Sequence, residues 1–291
     1  MEPLTELIRD RSAHFSKGQK RIAEYITSNP EEAAFLTAAK LGEKAEVSES
    51  TVVRFAFALG FDGYPSMQDA LRDLIRNRLT SVQRIRMAGE LTRDDIVRHV
   101  LTEDIANIRT TLESIDMRSF EQAISMLLAA RRIYVIGVRS SAPLALFLSY
   151  YLDYVCEDVT YLNGGIQDFY QRMSRLGEDD LCIGISFPRY SSRTLDAMRF
   201  AQKNGAKTIV ITDTADSPFR DYADCTVCAH SSMAGYADSL VAPLSVLNAI
   251  IMAVGQARKD EAYGHLNRLE EIWREEGIYM MDDHNAKERE R

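Results

Sequence analysis

Apolar positions along the chain follow two different rhythms. Over residues 1–86 they recur every three or four positions in short amphipathic stretches, the period of helices. In SKGQKRIAEYITSNP, Ile22, Tyr25 and Ile26 share one face, Ser16 is placed to cap the start, and Asn29-Pro30 stops the helix. The pattern predicts a short helix from Pro30, another after Thr37, and one over residues 64–79. Residues 80–93 (TSVQRIRMAGELTR) are polar, contain Gly89 and read as a linker; helices are expected over about 94–114 and 117–130. Then the rhythm changes. The runs IYVIG (133–137), VTYL (159–162), LCIGISF (181–187), TIVIT (208–212) and CTVCA (225–229) alternate with helix-length segments. Short, fully apolar runs between helices are the pattern of a parallel sheet covered on both faces. The expected fold is an all-α domain followed by an α/β domain with a five-stranded parallel sheet flanked by helices. The closing NAKERER reads as a solvated tail.

Within the helical part, LTAAKLGEKAEVSESTVVRFAFALGFDGY (36–64) predicts two short helices joined by a tight turn. The first spans about Thr37 to Ala45, and Glu46 and Val47 make the turn. Ser48 is placed to cap a second helix that ends near Leu59, with Gly60 as its stop. This is the outline of a helix-turn-helix. At 100° per residue, Val52, Phe55, Ala56 and Leu59 face inward, whereas Ser50, Val53, Arg54 and Phe57 face outward with Thr51 at the flank. Short hydroxyls at a helix start can reach phosphates and base edges. Arg54 can span guanine O6 and N7, and Val53 can meet a thymine methyl. The same outer face could also pack on a neighbouring helix.

In the α/β part, two strand-to-helix turns are rich in hydroxyls. YVIGVRSSAPLA (134–145) carries Arg139, Ser140 and Ser141 after Gly137, with a helix starting near Pro143; ISFPRYSSRT (185–194) carries Ser186, Arg189, Ser191, Ser192 and Thr194. In a parallel sheet both turns lie at the carboxyl ends of strands, where open α/β sheets bind ligands. Both feed helix N-termini, whose unpaired N–H groups favour anions. Hydroxyls with an arginine suit the oxygens of a phosphomonoester. A dinucleotide would call for more glycines. Any one of these serines could simply cap a helix. For acid–base chemistry His230, Asp238 and Asp168 are candidates by type only, without a telling spacing. Asn163-Gly164-Gly165, with Gln167 and Asp168 behind it, ends the second run and is placed to line the same crevice.

Composition narrows the field. The 291 residues suffice for two domains, and 46% hydrophobic with 27% charged is ordinary for a globular protein. The charged start, MEPLTELIRDRSAHF, is not a signal peptide, and no apolar run approaches a membrane span, so a cytoplasmic protein without membrane partners is expected. The net charge of −8 is unevenly spread, +1 over residues 1–86 and −9 over the rest. Arg72, Arg76, Arg78, Arg84 and Arg86 form a basic stretch broken only by Asp73, placed to face an anion or merely water. Cys225 and Cys228 form a C-x-x-C on an expected strand, where positions three apart face opposite ways, so neither zinc nor a redox pair is expected. Cys156 and Cys182 read as core. Trp273, in LEEIWREEGIYMM, is expected on a helix that packs on the sheet domain or on another subunit.

The combination of QKRIAEYI, the Asn-Pro stop, VSESTVVRF and LGFDGY over residues 4–80 resembles the N-terminal domain of the RpiR (MurR/RpiR) transcriptional regulators. Residues 120–256 resemble a SIS (sugar isomerase) domain, its partner in such regulators. The resemblance implies operator contacts by Ser48, Ser50, Thr51 and Arg54, with Lys40 and Lys44 nearby. It implies a phosphosugar held by Ser140, Ser141, Ser186, Ser191, Ser192 and Thr194, to which the residues themselves add Arg189 in the second turn and Arg139 in the first, the latter adding a phosphate contact or narrowing the pocket. No cofactor or metal is implied.

Three departures stand out. Gly42 replaces a usual alanine, which is expected to loosen its helix. Arg139 replaces the second glycine of a G-x-G-x-S loop. Arg193 precedes the threonine where enzymatic relatives, with S-x-S-G-E-T, have glutamate. The expected organisation is a DNA-binding domain over 1–80, a linker and connecting helix over 81–115, a phosphosugar-binding domain over 116–275 and a tail over 276–291. The expected function is a non-enzymatic regulator of a carbohydrate operon, acting as a homodimer or homotetramer. The alternatives are a phosphosugar isomerase, a DNA-binding protein with a ligand-dead scaffold, and a sensor that binds protein instead of DNA.

Overall fold

The computed structural model describes residues 4–75, 80–87, 92–163, 169–232 and 237–279. The chain divides into two compact units, Met1–Ile105 with Ser232–Ser239, and Ala106–Ser231 with Leu240–Arg291.

The first unit is helical: α1 (Leu4–Arg11), α2 (Lys17–Ser28), α3 (Pro30–Ala33), α4 (Ala38–Lys44), α5 (Glu49–Ala58), α6 (Tyr64–Ile75), α7 (Ser81–Met87) and the start of α8 (Arg93–Ser114). Ser16 caps α2 reciprocally. Its hydroxyl accepts from the Gln19 N–H, and the Gln19 side chain accepts from the Ser16 N–H. The Asn29 N–H closes on the Tyr25 carbonyl, and Pro30 opens α3, where its missing N–H is no loss. The core gathers Ile22, Ile26, Leu41, Val52, Phe55, Leu59, Met67 and Leu71, all nearly inaccessible. Each such side chain contributes about 1.5–3 kcal/mol by leaving water. The segment that read as linker contains helix α7, where Arg84 forms a buried ion pair with Asp238 at 3.0 Å.

The second unit holds α9 (Met117–Ala129) and a five-stranded sheet: β1 (Arg132–Gly137), β2 (Val159–Leu162), β3 (Asp180–Ile185), β4 (Lys207–Thr212) and β5 (Cys225–Cys228). Among them run α10 (Ala142–Leu152), α11 (Phe169–Met173) and α12 (Ser192–Lys203); α13 (Val241–Ala257) and α14 (Lys259–Glu276) follow. The strand order is β2-β1-β3-β4-β5 and every pairing is parallel. The central strands β1, β3 and β4 are buried almost throughout because both faces are covered. Ile133, Val135, Ile183, Ile185, Ile209 and Ile211 pack with α9, α10 and α13. Their alternates Tyr134, Ile136, Cys182 and Val210 pack with α11 and α12. Cys225 is buried and Cys228 half-buried at positions of opposite facing on β5, and burial pushes both thiols up to about 11. Trp273 on α14 packs edge-on with Tyr279 and tilted against Tyr154. Among the described residues no single helix is long and apolar enough to cross a membrane. Arg76, Arg78, Gly89, Gly164, Gly165, Gln167, Asp168, Met280, Met281 and the terminal tail lie outside the described residues, and of Asp73 and Arg86 only the backbone lies within them.

Candidate functional sites

The helix-turn-helix is α4, a turn and α5. Thr37 caps α4, accepting from the Lys40 N–H. The turn is held by Glu46 in the left-handed region (φ 52°) and by the Val47 N–H on the Gly42 carbonyl at 2.8 Å. Gly42 has a specific role here. A Cβ at this position would sit 2.8 Å from the Val47 carbonyl oxygen and 3.3 Å from the Glu49 nitrogen. The glycine lets the turn backbone lie directly on α4, so it tightens the motif where a loosened helix was expected.

Val52, Phe55, Ala56 and Leu59 are buried, and Phe15 meets Phe55 edge to face. Ser48, Ser50, Arg54 and Phe57 are exposed, and Thr51 and Val53 are half-buried. Ser48 has the extended backbone of a cap but its hydroxyl caps nothing. It lies 2.9 Å from the Ser50 hydroxyl and 2.8 Å from that of Thr51, which in turn accepts from Arg54 at 3.4 Å. These hydroxyls satisfy one another on the outer surface instead of the helix start. Lys40 is exposed. Lys44 is engaged: Glu32 lies 2.9 Å away, and this hydrogen bond raises the ammonium pKa and lowers that of the carboxyl. On the far side Tyr64 donates to the Leu36 carbonyl at 2.6 Å, and burial pushes its phenol up to about 12.

The second site follows from topology. β1 and β3 are neighbours, their last pair is Gly137 with Ile185, and α10 and α12 leave on opposite faces. The order therefore reverses between them, which opens a crevice at their carboxyl ends. Val138 and Ser186 follow this last pair, and the Ser186 N–H still bonds to the Ile211 carbonyl of β4. In the first turn Arg139 is left-handed (φ 57°), and Arg139–Ser141 winds as a 3-10 turn into α10. Arg139 and Ser140 are exposed; Ser141 is buried and makes no side-chain cap. Gly137 is obligatory, since a Cβ there would lie 2.5 Å from the Ser141 carbonyl oxygen.

In the second turn Arg189 is exposed and also left-handed (φ 64°). The buried Ser186 hydroxyl accepts from the Ser191 N–H at 3.2 Å. Ser191 caps α12, accepting from the N–H groups of Arg193 and Thr194. Ser192 is exposed, whereas Thr194 is fully buried with no hydrogen-bond partner for its hydroxyl among the described residues. One contributor escaped the sequence reading. Asp213, just past β4, accepts from the Tyr190 hydroxyl at 2.8 Å and ties the second turn to the next strand. The only signal was a carboxylate directly after a strand. Of the three acid–base candidates, His230 donates its backbone N–H to Thr111 at 2.8 Å, Asp238 is paired with Arg84, and Asp168 lies outside the described residues. No group of three metal-ligating side chains occurs among the described residues.

Glu46, Arg139 and Arg189 are the non-glycine residues in the left-handed region among those described. One lies in the helix-turn-helix turn and one in each crevice turn. Each such residue costs about 1–2 kcal/mol, and strain of this kind concentrates at functional sites.

Comparisons with known proteins fall on the same two parts of the chain. Residues 2–78 match the helix-turn-helix domain of the rpiR family, and residues 126–253 match the SIS domain. An HTH-type transcriptional regulator of Haemophilus influenzae is 28% identical over 255 residues, 85% of this chain and 88% of that protein. The HTH-type transcriptional regulator HexR of Pseudomonas aeruginosa is 26% identical over 283 residues, 93% and 95% of the two chains. Among solved structures, the sugar isomerase domain of an RpiR transcription factor from Sphaerobacter thermophilus superposes with a TM-score of 0.57 and 28% identity, covering 59% of this chain and 96% of that one. The Vibrio vulnificus NanR protein, complexed with ManNAc-6P, superposes with a TM-score of 0.54 and 19% identity over 93% of this chain and 97% of its own.

Proposed function

We propose, because this chain belongs to the RpiR family of helix-turn-helix transcriptional regulators that carry a SIS domain, that it reads operator DNA with α5 and is controlled by a phosphorylated sugar held between the β1 and β3 turns. The observation that carries the sensor is the pair of turns at the switch point. Two arginines, Arg139 and Arg189, hold left-handed backbones there, beside hydroxyls and two helix starts. A phosphate seated there meets the positive ends of the α10 and α12 dipoles, and the guanidinium groups add charge-assisted contacts. The contacting residues are Arg139, Ser140, Arg189, Ser192 and Thr194, while Ser186 and Ser191 shape the turn. That a chain of the same fold carries ManNAc-6P supports the class of ligand.

On the DNA side, Ser50, Thr51 and Arg54 meet the major groove and Lys40 meets phosphate. The protein works in the cytoplasm on the operon of a carbohydrate pathway, as a homo-oligomer. Control is by linkage. A sugar that binds one arrangement of the oligomer better shifts it, and operator affinity changes by the same coupling factor.

The test is a thermal-shift screen with sugar phosphates, the matching free sugars and inorganic phosphate. At 100 times its dissociation constant the effector adds about 2.7 kcal/mol. The expected result is a rise in Tm with one sugar phosphate, none with its free sugar, and a smaller rise in Arg139→Gly, the variant that keeps the turn but removes a guanidinium. An effector that raises Tm yet leaves operator affinity unchanged would sink the regulatory half of the reading.

A further inference from the structure

Helix α11 is five residues long and covers one face of β1 and β2 only in part. At the carboxyl end of that face Phe169 and Met173 pack with Ile136 and Leu162, and all four are buried. Toward the strand starts the cover runs out. Arg132, Asp158 and Thr160 alternate onto the same face and are exposed or half-buried, around a buried Tyr134. Gln171, Arg172 and Arg175, on α11 and just after it, close the other side. Together these groups line a cavity of about 530 Å³. It lies at the amino ends of the strands. Six-residue β1 separates it from the crevice by about 16 Å, at about 3.3 Å per residue.

The charges in this cavity do not balance. Arg132 pairs with Asp158 at 3.3 Å and donates to the Arg175 carbonyl at 3.4 Å, so it is held in place and neutralised. The guanidinium groups of Arg172 and Arg175 make no ion pair or hydrogen bond among the described residues. Three arginines against one carboxylate leave a net +2. A phosphomonoester carries about −1.5 to −2 at pH 7 and presents three acceptor oxygens. A phosphodiester carries one charge and would leave one guanidinium unmatched. The remaining lining groups are polar, an amide, a hydroxyl and the Asp158 carboxylate, and suit the hydroxyls of a small sugar or acid. The volume is within the usual range for small-molecule sites, about 300–1,000 Å³. We propose that this cavity is a second phosphate-ester site, separate from the crevice. The phosphate lies between Arg172 and Arg175, and the hydroxyls of the ester meet Asp158, Thr160 and Gln171. The proposal does not rest on the regulator reading.

The test is isothermal titration calorimetry of the full chain with inorganic phosphate and a panel of phosphomonoesters. It is run on Arg139→Gly/Arg189→Gly, in which glycine keeps both left-handed turns while the crevice guanidinium groups are gone. The expected result is weak binding of phosphate and tighter binding of at least one ester. Adding Arg172→Gln/Arg175→Gln should weaken both at least tenfold. Both arginines are exposed, so this variant should fold, which circular dichroism checks. Thr160→Ala should weaken the ester and leave phosphate unchanged. Arg199→Gln, which removes an exposed arginine beside Asp196 outside the cavity, should change neither. Four results would each overturn the site: no binding of phosphate or any ester by the crevice variant, binding that survives Arg172→Gln/Arg175→Gln, an equal loss in Arg199→Gln, or tighter binding of a tetraglutamate peptide than of any ester. The last would make the cavity a docking groove for an acidic segment. Failure of the crevice reading shows separately, as sugar-phosphate affinity that is equal in wild type and Arg139→Gly/Arg189→Gly.

Discussion

The two candidate sites are built from the same residue types, serines, a threonine and arginines at helix starts, yet the structure uses them in opposite ways. On α5 the hydroxyls of Ser48, Ser50 and Thr51 lie outside and bond to one another. In the crevice, Ser186 and Ser191 bond to backbone N–H groups and hold the turn in shape, and Thr194 is buried. The outer surface of α5 is thus a set of side chains that takes no part in holding the helix start. The crevice is a backbone shape that its own side chains sustain. Residue type alone does not separate a contact from a support; the hydrogen-bond partner does.

This difference also explains what could be read from the sequence. The three central strands β1, β3 and β4 were legible because each is buried on both faces, which leaves a nearly uninterrupted apolar run, and the partly buried edge strands β2 and β5 followed from the same alternation with helices. The inner face of α5 was legible because Val52, Phe55, Ala56 and Leu59 keep helical spacing. The positions of both serine turns followed from the strands that feed them. What stayed hidden depends on long-range or backbone geometry. The left-handed Arg139 and Arg189 carry no glycine to announce them, and the Asp213–Tyr190 bond joins residues from two crossovers. Gly42 looked like a weak point until the turn backbone was seen lying against it. Helix α7 was missed because its turns are polar.

The largest effect should come from the crevice backbone. In Gly137→Ala the added Cβ would meet the Ser141 carbonyl oxygen at 2.5 Å and the Ala145 Cβ at 3.0 Å. Neither can move without shifting α10 off the sheet. A loss of about 3 kcal/mol or more is expected for the second unit, within the range of severe core changes, seen by calorimetry as a lowered Tm. An unchanged Tm would mean that the turn is plastic and the contrast with α5 false.

Next in size is Arg54→Ala, which should split binding from folding. The side chain is exposed and its hydrogen bond to Thr51 is long at 3.4 Å, so stability should change by less than about 0.5 kcal/mol. Operator affinity should fall by about 1–3 kcal/mol, or about 5–150-fold. Lys44→Ala should cost less on DNA than Lys40→Ala, because Lys44 is held by Glu32. Equal binding by wild type and Arg54→Ala would remove α5 from the DNA.

A smaller pair compares two serines at equivalent helix positions. Ser191→Ala removes a true cap and should cost about 1 kcal/mol. Ser48→Ala removes a hydroxyl that caps nothing and should cost a few tenths at most. Matching losses in the two variants would mean that Ser48 also caps its helix in solution.

The smallest expected change in stability, with an opposite sign, belongs to Thr194. Its hydroxyl is buried without a partner among the described residues, an arrangement that normally works against folding. Valine keeps the shape and removes the polar atom, so Thr194→Val should leave Tm unchanged or raise stability by up to about 1 kcal/mol. If the hydroxyl instead serves the phosphosugar, affinity for that ligand should fall about fivefold, as for one neutral hydrogen bond of about 1 kcal/mol. Thr194→Ser, which keeps the hydroxyl, should keep the affinity. A gain in stability with loss of ligand would place Thr194 with Ser140 and Ser192, crevice hydroxyls that behave like those of α5, held for a partner rather than for the fold. A plain loss of stability would return it to the supports, beside Ser186 and Ser191.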